Sequence, residues 1–174
     1  LVAVLEAAAR RLRYQVFSTC TADWLALAQH RDDQAETLLL HLLRGSGAEG
    51  LGGMRCHNNS IVRPFLQVSR RMLEAYCAMR SLDYRTDSSN MDLYYTRNKV
   101  RHILLPLLER EFNPNIKQAL AQTATLIAED ADCLNELAEE KFLQYVLQDD
   151  HSCSCDTAWL LSLPAALCSR IIRM

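Results

Sequence analysis

Residues 28–54 constrain the fold of this chain more than any other stretch. An apolar run at residues 24–28 leads into a polar cluster, which is followed by a leucine-rich helical pattern. All five glycines of the chain then fall within residues 45–53. Polar residues at the handover from a strand to a helix lie where open α/β sheets place their sites. The glycines predict a loop whose backbone can approach another surface closely. We therefore predict a functional site at this corner.

Four ionisable side chains, His30, Asp32, Asp33 and Glu36, are crowded into the start of the helix predicted over residues 33–44. The spacing of Asp33 and Glu36 resembles a capping box, in which both carboxylates only satisfy free N–H groups of the first turn. Spacing alone favours that interpretation, but a cap needs only one or two of the four groups. On one helix face, Asp33 and Glu36 could instead bind an ammonium group, hold Mg²⁺ or accept a proton from an amine.

Hydrophobic patterns predict short strands and amphipathic helices around this corner. Residues 1–13 fit the end of a helix, and residues 14–20 and 24–28 fit two buried strands. After an extended segment at residues 61–66, a helix is predicted from Ser69 to about residue 82. The predicted buried side chains are Leu38, Leu39, Leu42 and Leu43 in the first helix, and Met72, Leu73, Tyr76 and Met79 in the second.

A third helix, predicted from about residue 93, places two arginines and an amide on one stripe. Its polar positions at spacings of three and four are Tyr94, Arg97, Asn98 and Arg101. Pro106 is expected to kink this helix. A stripe of this kind facing a carboxylate-rich corner suits phosphate and nucleotide contacts, and the alternative is a pair of interdomain salt bridges.

The charge of the chain is unevenly distributed. Residues 1–110 carry 15 Lys and Arg against 11 Asp and Glu, whereas residues 111–174 carry 4 against 10, so net charges of +4 and −6 give −2 overall. An anionic partner is therefore expected at the first part, where arginine, which suits phosphate, predominates among the basic residues. A solvated helix surface explains the same charges equally well.

Composition favours a globular protein of the cytoplasm. The 174 residues, 49% of them hydrophobic, are enough for a sizeable core. No apolar run approaches the length of a membrane span, and the first residues do not have the charge order of a signal peptide. Seven scattered cysteines without a C-x-x-C pair favour reduced thiols. Cys153 and Cys155, with only His151 nearby, do not complete a metal site.

Asn113-Pro114-Asn115 breaks the chain and predicts a domain boundary, with domains at residues 1–112 and 113–174. Apolar residues recurring from 116 to 147 predict a long helix with an acidic outer face, and another helix is expected from residues 163–164. The chain lacks an initial methionine, and its last helical pattern is still periodic at Met174. We therefore expect both ends to be cuts.

Ordered blocks of sequence resemble the tRNA(Ile)-lysidine synthetase family, and they cover residues 6–115 densely. The matching blocks are His30-Arg31-Asp32-Asp33-Gln34-Ala35-Glu36-Thr37, Leu43-Arg44-Gly45-Ser46-Gly47, Gly50-Leu51-x-x-Met54, Arg63-Pro64-Phe65-Leu66, Ser69-Arg70, Tyr84-x-x-Asp87-x-Ser89-Asn90, Tyr95-x-Arg97-Asn98-x-x-Arg101 and Leu104-Leu105-Pro106-Leu107-Leu108. The resemblance implies an α/β fold that is mostly helical overall. It consists of the C-terminal part of a Rossmann-like N-type ATP pyrophosphatase (PP-loop) domain, followed by an all-α module that binds substrate or tRNA.

The resemblance also implies a tRNA-modifying ligase that forms a C–N bond. Such enzymes use ATP and Mg²⁺ to adenylate the C2 oxygen of the wobble cytidine in tRNA-Ile with a CAU anticodon, and the amine of L-lysine then displaces AMP. The implied catalytic residues are Asp33 and Glu36, which orient and deprotonate the amine, and Arg101, which stabilises charge on the intermediate. The implied nucleotide-binding residues are His30, Asp32, Arg97 and Asn98, the implied tRNA-binding residues are Arg44, Arg63 and Arg70, and Asp33 is the implied Mg²⁺ ligand.

One departure from the family pattern matters for activity. The phosphate-binding signature Ser-Gly-Gly-x-Asp-Ser, whose N–H groups cradle pyrophosphate, does not occur in the 174 residues, and its usual place is upstream of Leu1. We therefore expect this chain alone not to make lysidine. Alternatives are an inactive remnant, a tRNA-binding fragment, or another ATP pyrophosphatase such as a tRNA thiolase, whose cysteine pairs are absent here. The oligomeric state stays open, a homodimer included.

Overall fold

The computed structural model describes residues 8, 11–12, 14–17, 19, 21–85, 92–149 and 152–174. Its strands are β1 (Leu25–Ala26), β2 (His57–Asn58), β3 (Ile61–Val62), β4 (Leu147–Gln148) and β5 (Cys153–Ser154). Its helices are α1 (Arg31–Leu43), α2 (Ala48–Leu51), α3 (Arg70–Met79), α4 (Thr96–Lys99), a π-helix (Val100–Leu104), α5 (Leu105–Glu111), α6 (Ile116–Tyr145), α7 (Thr157–Ser162) and α8 (Ala165–Ile171). The predicted α/β class with a mostly helical content is confirmed.

A small sheet in the order β1-β3-β2 supports the predicted corner. β1 runs parallel to β3 with Leu25 opposite Ile61, and α1 lies between these strands in the chain, as in a βαβ unit. β2 is antiparallel to β3. The strand predicted at residues 24–28 is present, but its predicted burial is wrong, because Trp24, whose ring packs on His57, is 57% exposed.

The strand predicted at residues 14–20 is wrong, because residues 14–17 are helical. The rings of Tyr14 and Phe17 meet edge to edge with centroids 5.6 Å apart, as side chains three positions apart can do on a helix. Aromatic and β-branched residues favour strands only weakly, and helical pairing overrides that preference here. Most of the helix predicted at residues 1–13 lies outside the described residues, as do Asp87, Ser89 and Asn90 of the resemblance.

The main core forms where α1 meets α5 and α6. Its buried members are Ala35, Leu39, Leu40, Val100 and Leu105, with Ile116 and Leu120 packed against them. The predicted stripe of α1 is only half right, because Leu42 and Leu43 are 58% and 65% exposed at the last turn. Residues on both sides of the turn at 113–115 therefore share one core, and the domain division stays a prediction.

Helix α3 begins as predicted, since the Ser69 hydroxyl accepts a hydrogen bond from the N–H of Met72 at 3.2 Å. The prediction that Met72, Tyr76 and Met79 face inwards is wrong, because they are 61%, 51% and 71% exposed. The helix is amphipathic, but none of the residues described by the structure covers these three side chains.

The third predicted helix begins at Thr96 and contains a π-helix just before Pro106. The N–H of Leu105 donates to the carbonyl of Val100, five residues back, so the turn is one residue wider than an α-turn. Proline has no N–H to continue the α-helical pattern, and the π-helix accommodates the chain just before it. Tyr94 precedes the helix and is exposed, so it does not share the predicted stripe.

Helix α6 confirms the long helix predicted beyond residue 115, and α8 confirms the helix predicted after Pro164. The β4–β5 hairpin and α7 were not predicted. A second core of Ala138, Phe142 and Ile171 joins α6 to α8. None of the helices in the described part of the chain is long and apolar enough to cross a membrane.

Candidate active site

The first turn of α1 is capped by His30. The Asp33 N–H donates to His30 Nδ1 at 3.3 Å, and the His30 N–H donates to Asp33 Oδ2 at 3.0 Å. This is a capping box, but it pairs His30 with Asp33 instead of Asp33 with Glu36, so the predicted box lies three residues too late. Glu36 is therefore not a capping residue.

Four charged side chains form an ion-pair cluster, which we define as Asp33, Glu36, Arg97 and Arg101. Glu36 is 1% exposed, and its Oε2 accepts from Arg97 Nε at 2.9 Å. Arg101 donates to both Glu36 oxygens, from Nε at 2.5 Å and from Nη2 at 2.9 Å. The same Nη2 lies 3.1 Å from Asp33 Oδ1. The cluster joins α1 to α4 and the π-helix.

Burial alone would lower the pKa of the Arg101 guanidinium, but the hydrogen bond and charge of Glu36, with the charges of Asp33 and Asp32, raise it above its ordinary value. Arg101 is therefore a permanent cation that can stabilise negative charge but not transfer a proton. The two carboxylates balance the two guanidinium groups, which allows Glu36 to be buried as an ion. The two arginines therefore form salt bridges, as the alternative interpretation predicted. These salt bridges lie within residues 1–112 and do not reach residues 113–174.

The remaining predicted nucleotide-binding residues lie around this cluster and not in it. Asp32 Oδ1 accepts from the N–H of Arg70 at 3.2 Å, which ties α3 to the start of α1. Asn98 is 8% exposed, and its Nδ2 donates to the Asp92 carbonyl at 2.8 Å. The structure therefore brings together Asp33, Glu36 and the two arginines, places His30 beside them, and turns the Asn98 amide nitrogen towards the preceding loop.

The three arginines predicted to contact tRNA have different environments. Arg44 and Arg70 are exposed, and Arg70 pairs with Glu74 at 2.7 Å on the surface of α3. Arg63 is 5% exposed and donates from Nη1 to the Arg55 carbonyl at 2.9 Å. Only two of the three are therefore available on the outer surface.

Sequence patterns missed Gln34, which holds the glycine segment against α1. Its Nε2 donates to the carbonyl of Met54 at 3.1 Å, and its Oε1 accepts from the N–H of Met54 at 2.8 Å. Gln34 is 3% exposed, and a polar residue in the buried stripe of a helix was the available signal. Because Gln34 and Glu36 are two positions apart, they point to opposite sides of α1.

Gly53 should tolerate alanine worse than Gly45 does. Both have positive φ, +66° and +74°, but a Cβ at Gly53 would lie 2.8 Å from the Gln34 amide, whereas a Cβ at Gly45 would meet nothing within 4 Å. We expect Gly45→Ala to lower the free energy of unfolding by about 1 kcal/mol through φ strain. Gly53→Ala should lower it by about 1 kcal/mol more, since Gln34 hydrogen bonds must shift. Urea denaturation of both variants measures the difference, and equal losses would contradict the role of Gln34.

Metal binding finds little support in the part of the chain that the structure describes. No group of three or more His, Cys, Asp or Glu side chains in it is arranged to hold a metal ion. Cys153 and Cys155 lie at the β4–β5 hairpin, and His151 is outside the described residues. Asp33 uses one oxygen for Arg101 and the other for the His30 N–H. These residues do not fit a magnesium site formed by the protein alone, so no step below depends on Mg²⁺.

Comparisons with known proteins agree on one family. The model of the PP-loop domain matches residues 2–108. The chain is 42% identical to a tRNA(Ile)-lysidine synthase from Geobacter sulfurreducens over 97% of its own length and 37% of the relative's. It is also 42% identical to one from Thermobifida fusca (97% and 52%) and 36% identical to one from Bacillus subtilis (97% and 38%). The chain thus spans between about a third and a half of these relatives.

Proposed function

Because the chain belongs to the PP-loop domain family, we propose that it acts in an ATP-dependent tRNA-modifying ligase of the tRNA(Ile)-lysidine synthase type. The reaction joins L-lysine to C2 of the wobble cytidine of tRNA-Ile with a CAU anticodon, through an adenylated intermediate. The observation that carries the proposal is the ion-pair cluster, which combines a partly accessible carboxylate with two fixed cations. The cytoplasm, where tRNA, ATP and free lysine occur together, is its proposed location.

The second step of this reaction needs a carboxylate and a cation in defined places. The lysine nitrogen bonds to C2, the bond from C2 to the oxygen that carries AMP breaks, and the ammonium group must first lose a proton. Asp33, whose side chain is 14% exposed, is the carboxylate we assign to hold the ammonium group and accept its proton. The Glu36 side chain is only 2% exposed and both its oxygens accept from guanidinium groups, so we assign Glu36 to positioning the arginines.

The two arginines suit the phosphate of the adenylated intermediate. Arg97 and Arg101 present planar N–H donors that match phosphate oxygens, and Arg101 keeps its charge throughout. Negative charge that develops on the departing AMP would be stabilised by these fixed cations. His30 and Asp32, at the start of α1, are proposed to border the ATP. Asn98 supports this site indirectly, by fixing the segment before α4.

The surface arginines suit the RNA backbone. Arg44, at the end of α1, and Arg70, at the start of α3, are exposed and could contact phosphate groups on either side of the anticodon. Such contacts position RNA without reading its sequence. Recognition of the wobble cytidine would then depend on groups closer to the ion-pair cluster.

Lysine transfer tests the proposal directly. The protein expressed from its complete gene should incorporate labelled L-lysine into a tRNA-Ile transcript only when ATP is present and the wobble nucleoside is cytidine. Asp33→Asn should raise the KM for lysine about tenfold, because a charged hydrogen bond contributes about 1.5 kcal/mol. Asp83→Asn, an exposed change, should leave it unaltered.

Two results would count against these assignments. A folded protein that binds the transcript and ATP but incorporates no lysine would exclude the proposed reaction. Normal lysine KM in Asp33→Asn would keep the reaction but remove Asp33 from the lysine site.

A further inference from the structure

Arg63 is a buried cation that pairs with no acidic side chain in the described part of the chain. It is 5% exposed, yet it forms no salt bridge with any Asp or Glu that the structure describes. Its Nε donates to Gln29 Oε1 at 2.5 Å and its Nη1 to the Arg55 carbonyl at 2.9 Å, while Nη2 has no acceptor among the described residues. Neutral acceptors compensate only part of the several kcal/mol needed to bury a charge. Nη2 is therefore the donor of Arg63 with which an anion could pair.

Arg63 lines a cavity of about 450 Å³, within the range of small-molecule sites. We call it the arginine cavity, and we define it by Arg11, Tyr14, Gly53, Arg55, Asn58 and Arg63. Among the residues that the structure describes, its lining contains three arginines and no acidic side chain. Arg55 is neutralised by Asp132 at 2.9 Å, but Arg11 forms no salt bridge within the described ranges. The described lining of the cavity therefore has an excess of positive charge.

The position of the arginine cavity in the fold fits a ligand site. Arg63 directly follows β3, and its partner Gln29 follows β1, so the guanidinium lies at the carboxyl ends of two parallel strands. Ligands of open α/β sheets bind at that edge. Gln34 fixes the backbone on either side of Gly53 on the same side of α1. The cavity wall is thus held by buried hydrogen bonds, and the ion-pair cluster lies on the other side of the helix.

We propose that the arginine cavity binds a phosphate group, with Arg63 and Arg11 as its ligands. Guanidinium groups match phosphate oxygens in pairs, and two arginines that pair with no acidic side chain of the described ranges suit an anion with more than one charge. Two kinds of phosphate occur in the reaction proposed above, the pyrophosphate end of the nucleotide and the RNA backbone. Only the choice between these two rests on the proposed function. The buried position of Arg63 favours a terminal phosphate, which enters a concave site more easily than a phosphodiester flanked by sugars.

Pyrophosphate alone is the probe for this site. Calorimetric titration at low salt should detect pyrophosphate binding to the wild-type protein, and Arg63→Gln should weaken it at least about tenfold, the loss expected for a charged hydrogen bond. Because Arg63→Gln could also disturb folding, Arg11→Gln at the exposed side of the cavity is the second variant, with a similar loss expected. Arg71→Gln, an exposed arginine of α3 outside the cavity, is the matched control and should bind normally.

A second titration identifies the source of the phosphate. If an RNA hairpin displaces pyrophosphate and binds more weakly to Arg63→Gln, the site belongs to the RNA backbone. If pyrophosphate binding is unchanged by the hairpin, the site belongs to the nucleotide. Absence of pyrophosphate binding by the folded wild type, or equal binding by all variants, would overturn the site. Missing lysine transfer with intact pyrophosphate binding would instead count only against the proposed reaction.

Discussion

Replacing Glu36 with glutamine is expected to lower the free energy of unfolding by about 3 kcal/mol, near the lower end of the range for breaking a buried ion pair from one side. Glutamine keeps the shape of the side chain but loses the charge, so two guanidinium groups are left without their nearest counter-ion. Arg97 and Arg101 are partly exposed, at 34% and 21%, which lets water relieve some of the loss. Urea denaturation measures the change.

The matched control for Glu36→Gln is Glu74→Gln on α3. Glu74 also pairs with an arginine, at 2.7 Å, but both side chains are more than 40% exposed. Exposed pairs four positions apart contribute about 0.3–0.5 kcal/mol, so this variant should unfold almost as the wild type does. A Glu36→Gln loss no larger than that of Glu74→Gln would mean that the cluster does not stabilise the junction of α1 and α4.

Replacing Arg101 with lysine is expected to lower the kcat of lysine transfer about 100-fold, the loss typical of removing one fixed donor from a charge-stabilising site. Lysine keeps the positive charge, but one ammonium group cannot reproduce a planar fork that bonds both oxygens of Glu36 and one of Asp33. The KM values for lysine and ATP should change less than kcat. Steady-state kinetics of the protein expressed from its complete gene separate these constants.

Two further measurements keep the Arg101 result interpretable. Arg110→Lys, at a 73% exposed side chain of α5, should transfer lysine normally. The raised pKa of Arg101 means that the wild-type side chain is charged at every accessible pH, so the 100-fold defect should be the same between about pH 6 and 9. A defect that disappears at either end of this range, or a rate within about threefold of wild type, would show that the planar guanidinium fork of Arg101 is not required.

The sequence could predict which helical positions carry the charged residues of the ion-pair cluster, because those positions follow local rules. Spacings of three and four placed Arg97 and Arg101 on one side of a helix, and the change from an apolar run to acidic residues marked the start of α1. The cap was assigned three residues too late because histidine is an uncommon capping residue, and the pattern Asp33 to Glu36 imitates the usual box. Pairing of Glu36 with both arginines was not predictable, since it depends on how two distant helices cross.

The contacts of Gln34 and Arg63 could not be derived from pattern. Each is a polar side chain whose burial depends on backbone groups far along the chain, such as Met54 for Gln34 and Gln29 for Arg63. Periodicity can mark a polar residue such as Gln34 within an apolar stripe, but it does not identify the partner of a buried polar residue. For α3 it predicted an inner face that the described residues leave exposed, because an apolar stripe does not specify what covers it.

The ion-pair cluster also has a consequence for the order of folding. Its partners are separated by 61 to 68 residues along the chain, whereas the capping box that starts α1 spans three. Local turns close within about a microsecond, but bringing distant segments together requires closing a long loop first. The cap can therefore exist in an early, partly collapsed chain, while the four charges meet only when α4 and the π-helix dock. An assembled ion-pair cluster accordingly reports completion of the tertiary structure and not merely the presence of its helices.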